Sequence, residues 1–370
     1  MIVFAHLYND RSGSTRVLCS AIAALGSLDE ERLLYIGSEG EGLLSEIEVP
    51  RVEYWFRSSR FRSMRGLVFL FSQSCLFARL LLDRRIPPRA VIYVNTLLPF
   101  GAALYGKLTG RPVIYHLHES SVRSGPMLRL LTAMVRWTST LNIYVSDTHR
   151  RGLPIPGVPA RTIANALDGG FVTRALAHCY RHRHNGRFNV LMIATLRDYK
   201  GVPELLGLAR TLADRPDIHF DLLVNDDRAG IAHYFARREL PANVRVHAGT
   251  NDTSPFYQNA SLVVNLSRID QIVETFGMTI LEAMTYGIPV IVPPEGGPTE
   301  LVTPGIEGYW IDSREGKQLR DRVLWLADSP QVCVALSTAA REKAGLFNGD
   351  RYAGQIREAI GGIDRVGGGI

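Results

Sequence analysis

Two glutamates, Glu274 and Glu282, stand eight positions apart in a stretch whose pattern indicates a loop, a short helix, a break and a buried strand. Apolar residues between them recur at helical spacing, and Gly287 and Pro289 mark where that helix would stop. Residues 290–292 then form an apolar run typical of a buried parallel strand. One carboxylate therefore precedes a helix and the other lies inside it. The N–H groups of the helix start lie between them and favour a phosphate or sugar oxygen.

This segment resembles the Glu-x7-Glu signature of retaining glycosyltransferases of the GT-B fold, family 4, the glycosyl transferases group 1. In that family the first glutamate contacts the donor sugar and the second holds the ribose of the nucleotide. The resemblance carries these roles to Glu274 and Glu282, and it implies that the backbone around Phe276, Gly277 and Met278 meets the sugar and phosphates. The alternative for a single acid here is a residue that only favours the helix start.

The length and composition of the chain indicate a folded protein of two domains. It has 370 residues, of which 46% are hydrophobic and 21% charged. Its four cysteines show no metal-ligand spacing and suggest a reducing compartment. Met1 runs directly into an apolar strand-like segment, so we expect no signal peptide. The longest apolar stretch, 67–78, is shorter than a bilayer-spanning segment, so the expected location is cytoplasmic.

Positive charge is concentrated in the first part of the chain, whose net charge as a whole is +6. Aromatic residues, Trp55, Phe56 and Phe61, are interleaved with arginines there, as in segments that rest on an anionic membrane face. The arginines of this cluster are Arg51, Arg57, Arg60, Arg62, Arg65, Arg79, Arg84, Arg85 and Arg89. The alternatives are a solvated basic helix that flanks a core helix, and nucleic-acid binding, for which no recognised motif is present.

Strand-like apolar runs alternate with helical stretches along the whole chain, which indicates parallel sheets with crossover helices. The clearest runs are 2–8, 91–95, 112–118 and 142–146, then 188–195, 220–225, 244–249, 262–267 and 289–293, with helices such as 100–108 and 202–213 between strands. Two such series, with the resemblance, predict an α/β protein of GT-B fold, two Rossmann-like domains facing across a cleft.

The predicted boundaries follow the composition. Residues 1–170 form an acceptor-side domain, 171–345 a nucleotide-sugar-binding domain, and 346–370 a helix that returns to the first domain and a frayed tail. Segment 168–187 is polar, basic and rich in histidine and glycine, as a linker would be. Its three histidines, His178, His182 and His184, lack the carboxylates or cysteines that would complete a metal site, so we interpret them as linker residues.

Two residues of the first domain are expected at strand ends, where ligands of open parallel sheets bind. Gly13 follows the first strand at a helix start and could let a backbone approach a phosphate, although the sequence lacks the GxGxxG pattern of dinucleotide sites. The family's short glycine loop reaches toward the donor diphosphate, and Gly13 matches it in part. His118 ends the strand 112–118. The resemblance implies that it contacts the donor sugar, a role that it fits better than His116.

In the second domain the segment 192–206 resembles the family's Gly-Arg-Leu…Lys-Gly loop, whose Arg and Lys neutralise the diphosphate. Lys200 matches the Lys. The Arg position is occupied by Thr195, and Arg197 in the same loop could supply the missing charge. Asn165 matches the family's Asn-Gly-Val-Asp turn at the joint between the domains. A solvated surface lysine is the alternative for Lys200.

These residues predict a retaining, metal-independent glycosyltransferase of hexosyltransferase type that needs no cofactor. It would move a sugar from a nucleotide diphosphate to a hydroxyl of a glycan or lipid-linked acceptor, in cell-surface polysaccharide synthesis, with His118, Glu274 and Lys200 as catalytic residues. No Asp-x-Asp, P-loop or Gly-x-Ser-x-Gly occurs in the sequence. The alternatives are a nucleotide-sugar 2-epimerase of the same fold and a non-catalytic basic binder of membrane or nucleic acid. An anionic membrane is a further possible partner, whereas nucleic acid is not expected.

Overall fold

Parallel sheets account for the alternating apolar runs of the sequence. The computed structural model describes residues 1–26, 30–59, 61, 64–119 and 125–363. It divides the chain into two compact units, Leu167–Gly349 and the remainder, which joins Met1–Ala166 to the segment from Asp350 onward. The division falls beside Asn165, a few residues before the position that composition suggested. The arginines at positions 60 and 62 and the tail beyond 363 lie outside the described residues.

The first unit contains a seven-stranded sheet, all of whose neighbours are parallel. Its strands are β1 (Ile2–His6), β2 (Arg32–Gly37), β3 (Arg51–Tyr54), β4 (Val91–Asn95), β5 (Val113–Leu117), β6 (Leu141–Tyr144) and β7 (Ala160–Thr162), in the spatial order β3-β2-β1-β4-β5-β6-β7. Its helices are α1 (Gly13–Ala24), α2 (Arg65–Leu82), α3 (Phe100–Leu108), α4 (Pro126–Thr138) and α5 (Asp147–Gly152), with a 3₁₀ turn at Leu43–Glu46. Strands β1, β4 and β5 are buried throughout, as expected of a sheet covered on both faces.

The second unit repeats the plan with a six-stranded parallel sheet of order β10-β9-β8-β11-β12-β13. Its elements in chain order are α6 (Gly169–Leu176), β8 (Phe188–Ala194), a 3₁₀ turn (Asp198–Lys200), α7 (Val202–Thr211), β9 (Ile218–Val224), α8 (Arg228–Phe235), β10 (Val244–His247), α9 (Ser254–Gln258), β11 (Leu262–Val264), α10 (Met278–Thr285), β12 (Val290–Val292), α11 (Pro298–Leu301), β13 (Gly308–Trp310), α12 (Gly316–Ala327) and α13 (Pro330–Ala344).

The last helix, α14 (Gly349–Gly361), packs on the first unit. Tyr352 and Ile356 are buried in the apolar layer beside β1 and α1. The hydroxyl of Tyr352 donates to the carbonyl oxygen of Val17 at 3.4 Å, and Arg161 pairs with Glu358 at 2.8 Å. The amphipathic sequence of this helix thus completes the core of the first unit.

The segment expected to be a linker, 168–187, is instead structured and belongs to the second unit. Asp168 caps α6 by accepting a hydrogen bond from the amide of Phe171 at 3.0 Å. The Phe171 ring then packs edge-on against Tyr257 and Tyr286, at 6.0 and 5.5 Å between centroids. His182 lies 2.9 Å from the carbonyl oxygen of Leu326. The polar composition of this segment gave no sign that Phe171 packs into the second unit and holds the segment there.

The sequence analysis expected no membrane span because the apolar stretch 67–78 is short. Helix α2 is longer than this stretch. With 18 residues and a mean hydropathy of 1.4, it is long and apolar enough to cross a membrane, and only 22% of it is buried. On length, that expectation is therefore wrong. A single helix of this kind is weak support for a span, because core helices of soluble proteins have the same character.

Candidate active site

The second sheet has a topological switch point between β8 and β11, and ligands of open α/β sheets bind at the carboxyl ends of such strands. Lys200 ends the 3₁₀ turn that follows β8, and Glu274 lies in the loop between β11 and α10. The turn at Gly296 and Gly297 follows β12, the next strand of the sheet. Three neighbouring strand ends thus bring together residues that are nearly a hundred positions apart in the sequence.

Glu274 and Lys200 form a half-buried ion pair. The Lys200 Nζ lies 2.7 Å from Glu274 Oε1, and the two side chains are 22% and 17% exposed. Ser267 Oγ donates to the same carboxylate oxygen at 2.7 Å. Burial alone would raise the pKa of Glu274, but the charge of Lys200 and hydrogen bonds from Lys200, Ser267 and Asn265 lower it below its usual value. The Glu274 carboxylate therefore stays ionised at neutral pH, and it lies beside Lys200 at the strand ends.

Glycines fix the backbone on both sides of this pair. Gly201 has φ +86°, and a Cβ at this position would lie 2.1 Å from the carbonyl oxygen of Leu266. Only glycine therefore allows the Lys200 turn to approach the loop after β11 so closely. On the other side, the amide of Gly297 donates to the carbonyl oxygen of Glu274 at 2.8 Å. A Cβ on Gly296, whose φ is +88°, would come within 2.3 Å of that oxygen.

Helix α10 begins beside Glu274, at the three residues that the resemblance assigned to the donor. Gly277 precedes the first helical residue, Met278, with φ +103°, and no side chain caps this helix start. Phe276 is buried, and its ring lies 5.9 Å from that of Phe347. A glycine in the left-handed conformation and an uncapped N-terminus present backbone N–H groups to a ligand, together with the positive end of the helix dipole.

Glu282 lies inside α10 and is almost fully buried, with 3% of its surface exposed. Its Oε2 accepts a hydrogen bond from the hydroxyl of Tyr257 at 2.6 Å. The Tyr257 ring is stacked on that of Tyr286, with centroids 5.5 Å apart. The second glutamate of the pair is therefore held rigidly by an aromatic neighbour, in keeping with the recognition of a fixed group.

The two remaining residues of the Lys200 loop stand apart from this ion pair. Arg197 is exposed, and its Nη1 donates to the carbonyl oxygen of Leu196 at 2.9 Å. Thr195, at the position of the family's arginine, is half-buried. The structure therefore does not bring Arg197 to Glu274, and its contribution to the diphosphate stays a prediction.

Gly13 is the first residue of α1, the helix that follows β1, and β1 is a strand at which the order of the first sheet reverses. It is exposed, and a Cβ at this position would meet nothing within 4 Å. Asp10 organises the loop, since its Oδ1 accepts hydrogen bonds from the amide of Ser12 at 2.9 Å and the hydroxyl of Thr15 at 2.6 Å. Among the described residues, no contact requires a glycine at position 13, so its part in donor binding stays a prediction.

His118 follows β5 and belongs to a polar network of the first unit. The side-chain nitrogen Nδ2 of Asn95 donates to the carbonyl oxygen of Ser14 at 3.1 Å. This hydrogen bond orients the side chain so that Oδ1 of Asn95 faces His118. That oxygen lies 2.9 Å from His118 Nε2, so this nitrogen carries the hydrogen. Burial, and then the neighbouring His116, His149 and His6, lower the pKa of His118 well below its usual value. The ring is therefore neutral at pH 7, with Nδ1 as an acceptor.

Glu119 fixes the backbone around His118. Its carboxylate accepts hydrogen bonds from the amide of Leu97 and, at 3.1 Å, from the amide of His118. Between Asn95 and Leu97, Thr96 has φ +76°, a conformation that a β-branched residue rarely adopts. Such strain costs about 1–3 kcal/mol and persists where the surroundings enforce it, often at functional sites. His116, by contrast, is fully buried and lies 2.7 Å from the hydroxyl of Tyr93.

Sequence reasoning missed several residues that hold the candidate side chains in place, namely Asn95, Ser267, Tyr257, Gly296 and Gly297. Four of them are polar or small residues in a loop or at a strand end, and Tyr257 lies in the short helix α9. The one available signal was the glycine pair that follows the strand 290–292, since adjacent glycines favour close approach of backbones. In the described parts of the chain, no three His, Cys, Asp or Glu residues are grouped as a metal site would need.

Comparison with known proteins finds a family match in the second unit. Residues 181–343 match the family model described as glycosyl transferases group 1. This region of the chain is therefore similar to that family. Both the Lys200 loop and the Glu274–Glu282 segment lie within the matched region. The group 1 resemblance suggested by these motifs is therefore confirmed, whereas the roles of individual residues stay predictions.

The curated relatives match this chain over short regions. Sucrose synthase of Denitrovibrio acetiphilus is 32% identical over 81 residues, which make up 22% of this chain and 10% of that protein. The chain thus spans a small part of the first curated relatives that it matches.

Solved structures match over nearly the whole length of both chains. Anabaena HepE, in complex with UDP and glucose, has a TM-score of 0.76 and 21% identity, covering 97% of this chain and 99% of its own. WaaG, a glycosyltransferase involved in lipopolysaccharide biosynthesis, has a TM-score of 0.73 and 14% identity, with 97% and 99% covered. These similarities confirm the GT-B fold, with its two Rossmann-like domains.

Proposed function

We propose that this chain is a retaining glycosyltransferase that moves a sugar from a nucleotide diphosphate donor to a hydroxyl of a glycan or lipid-linked acceptor. The observation that carries the proposal is the half-buried Lys200–Glu274 contact beside the uncapped start of α10, at the switch point of the second sheet. The group 1 match and the similarity to HepE, whose structure holds UDP and glucose, support a nucleotide-sugar donor.

The first chemical requirement is stabilisation of the leaving diphosphate. An ammonium has three N–H donors, and the contact with Glu274 uses one of them, so Lys200 can also donate to phosphate oxygens. The N–H groups at the start of α10 would add partial positive charge on the same leaving group. Preorganised charge of this kind acts where charge develops and needs no reorganisation during reaction. We therefore propose that the reaction proceeds without a metal ion.

The second requirement is control of the sugar, whose anomeric carbon gains positive character as the diphosphate leaves. The carboxylate of Glu274 would hold the sugar and face this charge, because its lowered pKa keeps it ionised. His118, with neutral ring and defined tautomer, would bond a sugar hydroxyl, a role that rests on the family resemblance. Glu282, held by Tyr257, would bind the ribose. The leaving phosphate itself would accept the proton of the incoming hydroxyl, a step that the family resemblance implies.

We propose that the enzyme acts in cell-surface polysaccharide synthesis. The similarity to WaaG supports this role. The proposed location is cytoplasmic, and all four cysteines, Cys19, Cys75, Cys179 and Cys333, are unpaired.

The experiment is product analysis with α-linked UDP- and GDP-hexoses and short glycan or lipid-linked acceptors, with and without EDTA. We expect a transferred hexose whose anomeric proton shows the α configuration by NMR, at a rate unchanged by EDTA. A β-linked product would contradict retention, and loss of activity with EDTA would contradict metal independence. An isomerised donor with no transferred sugar would favour the 2-epimerase of the same fold.

A further inference from the structure

The outer face of α2 carries an apolar stripe formed by Leu67, Leu70, Phe71, Ala78 and Leu81. These positions recur at helical spacing on the side that faces solvent. Leu67 is 69% exposed, Phe71 58% and Leu81 57%. Contiguous exposed apolar surface of this kind is uncommon in soluble monomers and marks interaction sites.

The opposite face of α2 is built into the first unit. Ser72, Gln73, Leu76 and Leu80 are buried there. Gln73 accepts a hydrogen bond from the amide of Gly101 at 3.1 Å through Oε1, and a Cβ at Gly101 would lie 2.3 Å from the carbonyl oxygen of Gln73. Helix α2 could not cross a bilayer without losing these contacts with α3. A helix anchored in this way can instead lie flat on a surface.

The stripe continues onto the chain on either side of α2. Trp55, which follows β3, is 42% exposed, and its ring contacts that of Phe71 edge-on with centroids 5.1 Å apart. Phe61 and Met64, which precede the helix, are 70% and 49% exposed. Tryptophan and phenylalanine are the side chains that anchor proteins at the boundary of lipid headgroups and acyl chains.

Charge in this region is strongly asymmetric. Residues 54–146 contain 12 Arg and one Lys against two acids, Asp83 and Glu119, a net charge of +11 in a chain of +6. The rest of the chain therefore carries −5. Asp83 is only 11% exposed and is paired with Arg85 at 2.6 Å. Arg57, Arg65 and Arg79 are exposed around the stripe.

We propose that the apolar stripe of α2 docks the enzyme on an anionic lipid bilayer, with its side chains at the acyl boundary and the arginines among the headgroups. An exposed apolar stripe surrounded by arginines fits an anionic bilayer better than the other candidate partners. A nucleic acid would satisfy the arginines but would leave the leucines exposed. A second copy in a two-fold interface would bring two strongly positive surfaces together, which opposes association. The proposal uses no property of the donor site and is independent of the proposed function.

Vesicle flotation of the full-length protein tests this docking. We expect the wild type to float with phosphatidylcholine vesicles that contain phosphatidylglycerol and to stay behind with pure phosphatidylcholine. The double variant Leu67→Gln/Phe71→Gln should have a vesicle partition coefficient at least about tenfold lower than that of the wild type, because its apolar contact area is lost. The variant Arg65→Gln/Arg79→Gln should also bind more weakly, and added salt should weaken the wild type.

The matched control is Val334→Gln/Leu346→Gln, which alters two apolar residues of the second unit that are each 55% exposed. It should float like the wild type. Circular dichroism and the melting temperature establish that every variant is folded. Equal flotation of the stripe variant and the wild type would overturn the proposal, as would equal binding to neutral and anionic vesicles. A wild-type dimer in sedimentation that the stripe substitution dissociates would assign the face to self-association instead.

Discussion

Replacing Lys200 by methionine should lower turnover by a factor on the order of a hundred to a thousand, the usual cost of removing one preorganised donor from a developing negative charge. The substitution removes the ammonium that lies 2.7 Å from Glu274 and keeps most of the apolar stem. It also leaves the carboxylate in its half-buried position without its cation. Because burial alone raises the pKa of Glu274, the residual activity should shift its acid limb to higher pH. Steady-state rates over a range of pH measure both effects.

The matched control is Lys317→Met in α12 of the same unit. Lys317 also forms an ion pair, with Asp321 at 2.8 Å, but its side chain is 92% exposed. Exposed pairs contribute little, so this variant should keep wild-type turnover. Equal activity of the two variants would remove Lys200 from the site. Glu274→Gln should be as damaging as Lys200→Met, and the double variant little worse than either, because residues that act as a unit are not additive.

Acidification should destabilise the first unit strongly between pH 6.5 and pH 4. Burial lowers the pKa of His6 to about 4, of His116 to about 3 and of His149 to about 4. A histidine with a lowered folded pKa contributes stability that is complete above its unfolded pKa of about 6.5 and is lost as the pH falls toward the folded value. At pH 5 linkage gives a loss of about 2 kcal/mol for each of the three rings relative to pH 7.

Amide hydrogen exchange followed by mass spectrometry measures this loss within one unit. Peptides from β4 and β5 report the opening of the first unit, and exchange corrected for the intrinsic pH effect gives the free energy of opening. His149→Gln should reduce the pH dependence by about a quarter, because His118 also has a lowered pKa in this unit. The control His233→Gln, which alters an exposed residue of α8 in the second unit, should leave it unchanged. A free energy of opening that is constant from pH 7 to pH 5 would contradict the role of these histidines.

The sequence was most informative where several local signals agreed. Apolar runs, a glycine stop and a proline predicted α10 and β12, and α3 occupies the residues expected from its pattern. Strands β2, β3 and β7 were not singled out, although β2 is an almost fully buried run. Strand β3 alternates buried and exposed residues over four positions, and β7 has three residues, none of them fully buried. Strands as short as β3 and β7 are hard to distinguish from loops by their sequence pattern.

The site was predicted as parts and not as an assembly. Glu274 and Lys200 were each identified, but their direct contact depends on the pairing of β8 with β11 and on the close approach at Gly201. The tautomer of His118 depends on Asn95, at the end of another strand. The strained Thr96 is recognisable only from its φ. These features arise from tertiary contacts between loops, which single-residue propensities do not encode.

The most direct test of the central claim, that the second unit grips a nucleotide sugar through Lys200, Glu274 and Glu282, is the melting temperature in the presence of nucleoside diphosphates and nucleotide sugars. A ligand at a hundred times its Kd stabilises the native state by about 2.7 kcal/mol, so one nucleotide of the panel should raise the melting temperature clearly. Glu282→Gln should abolish most of that rise, and Glu342→Gln, on the exposed face of α13, should retain it. No rise with any nucleotide, or an equal rise in both variants, would contradict the account.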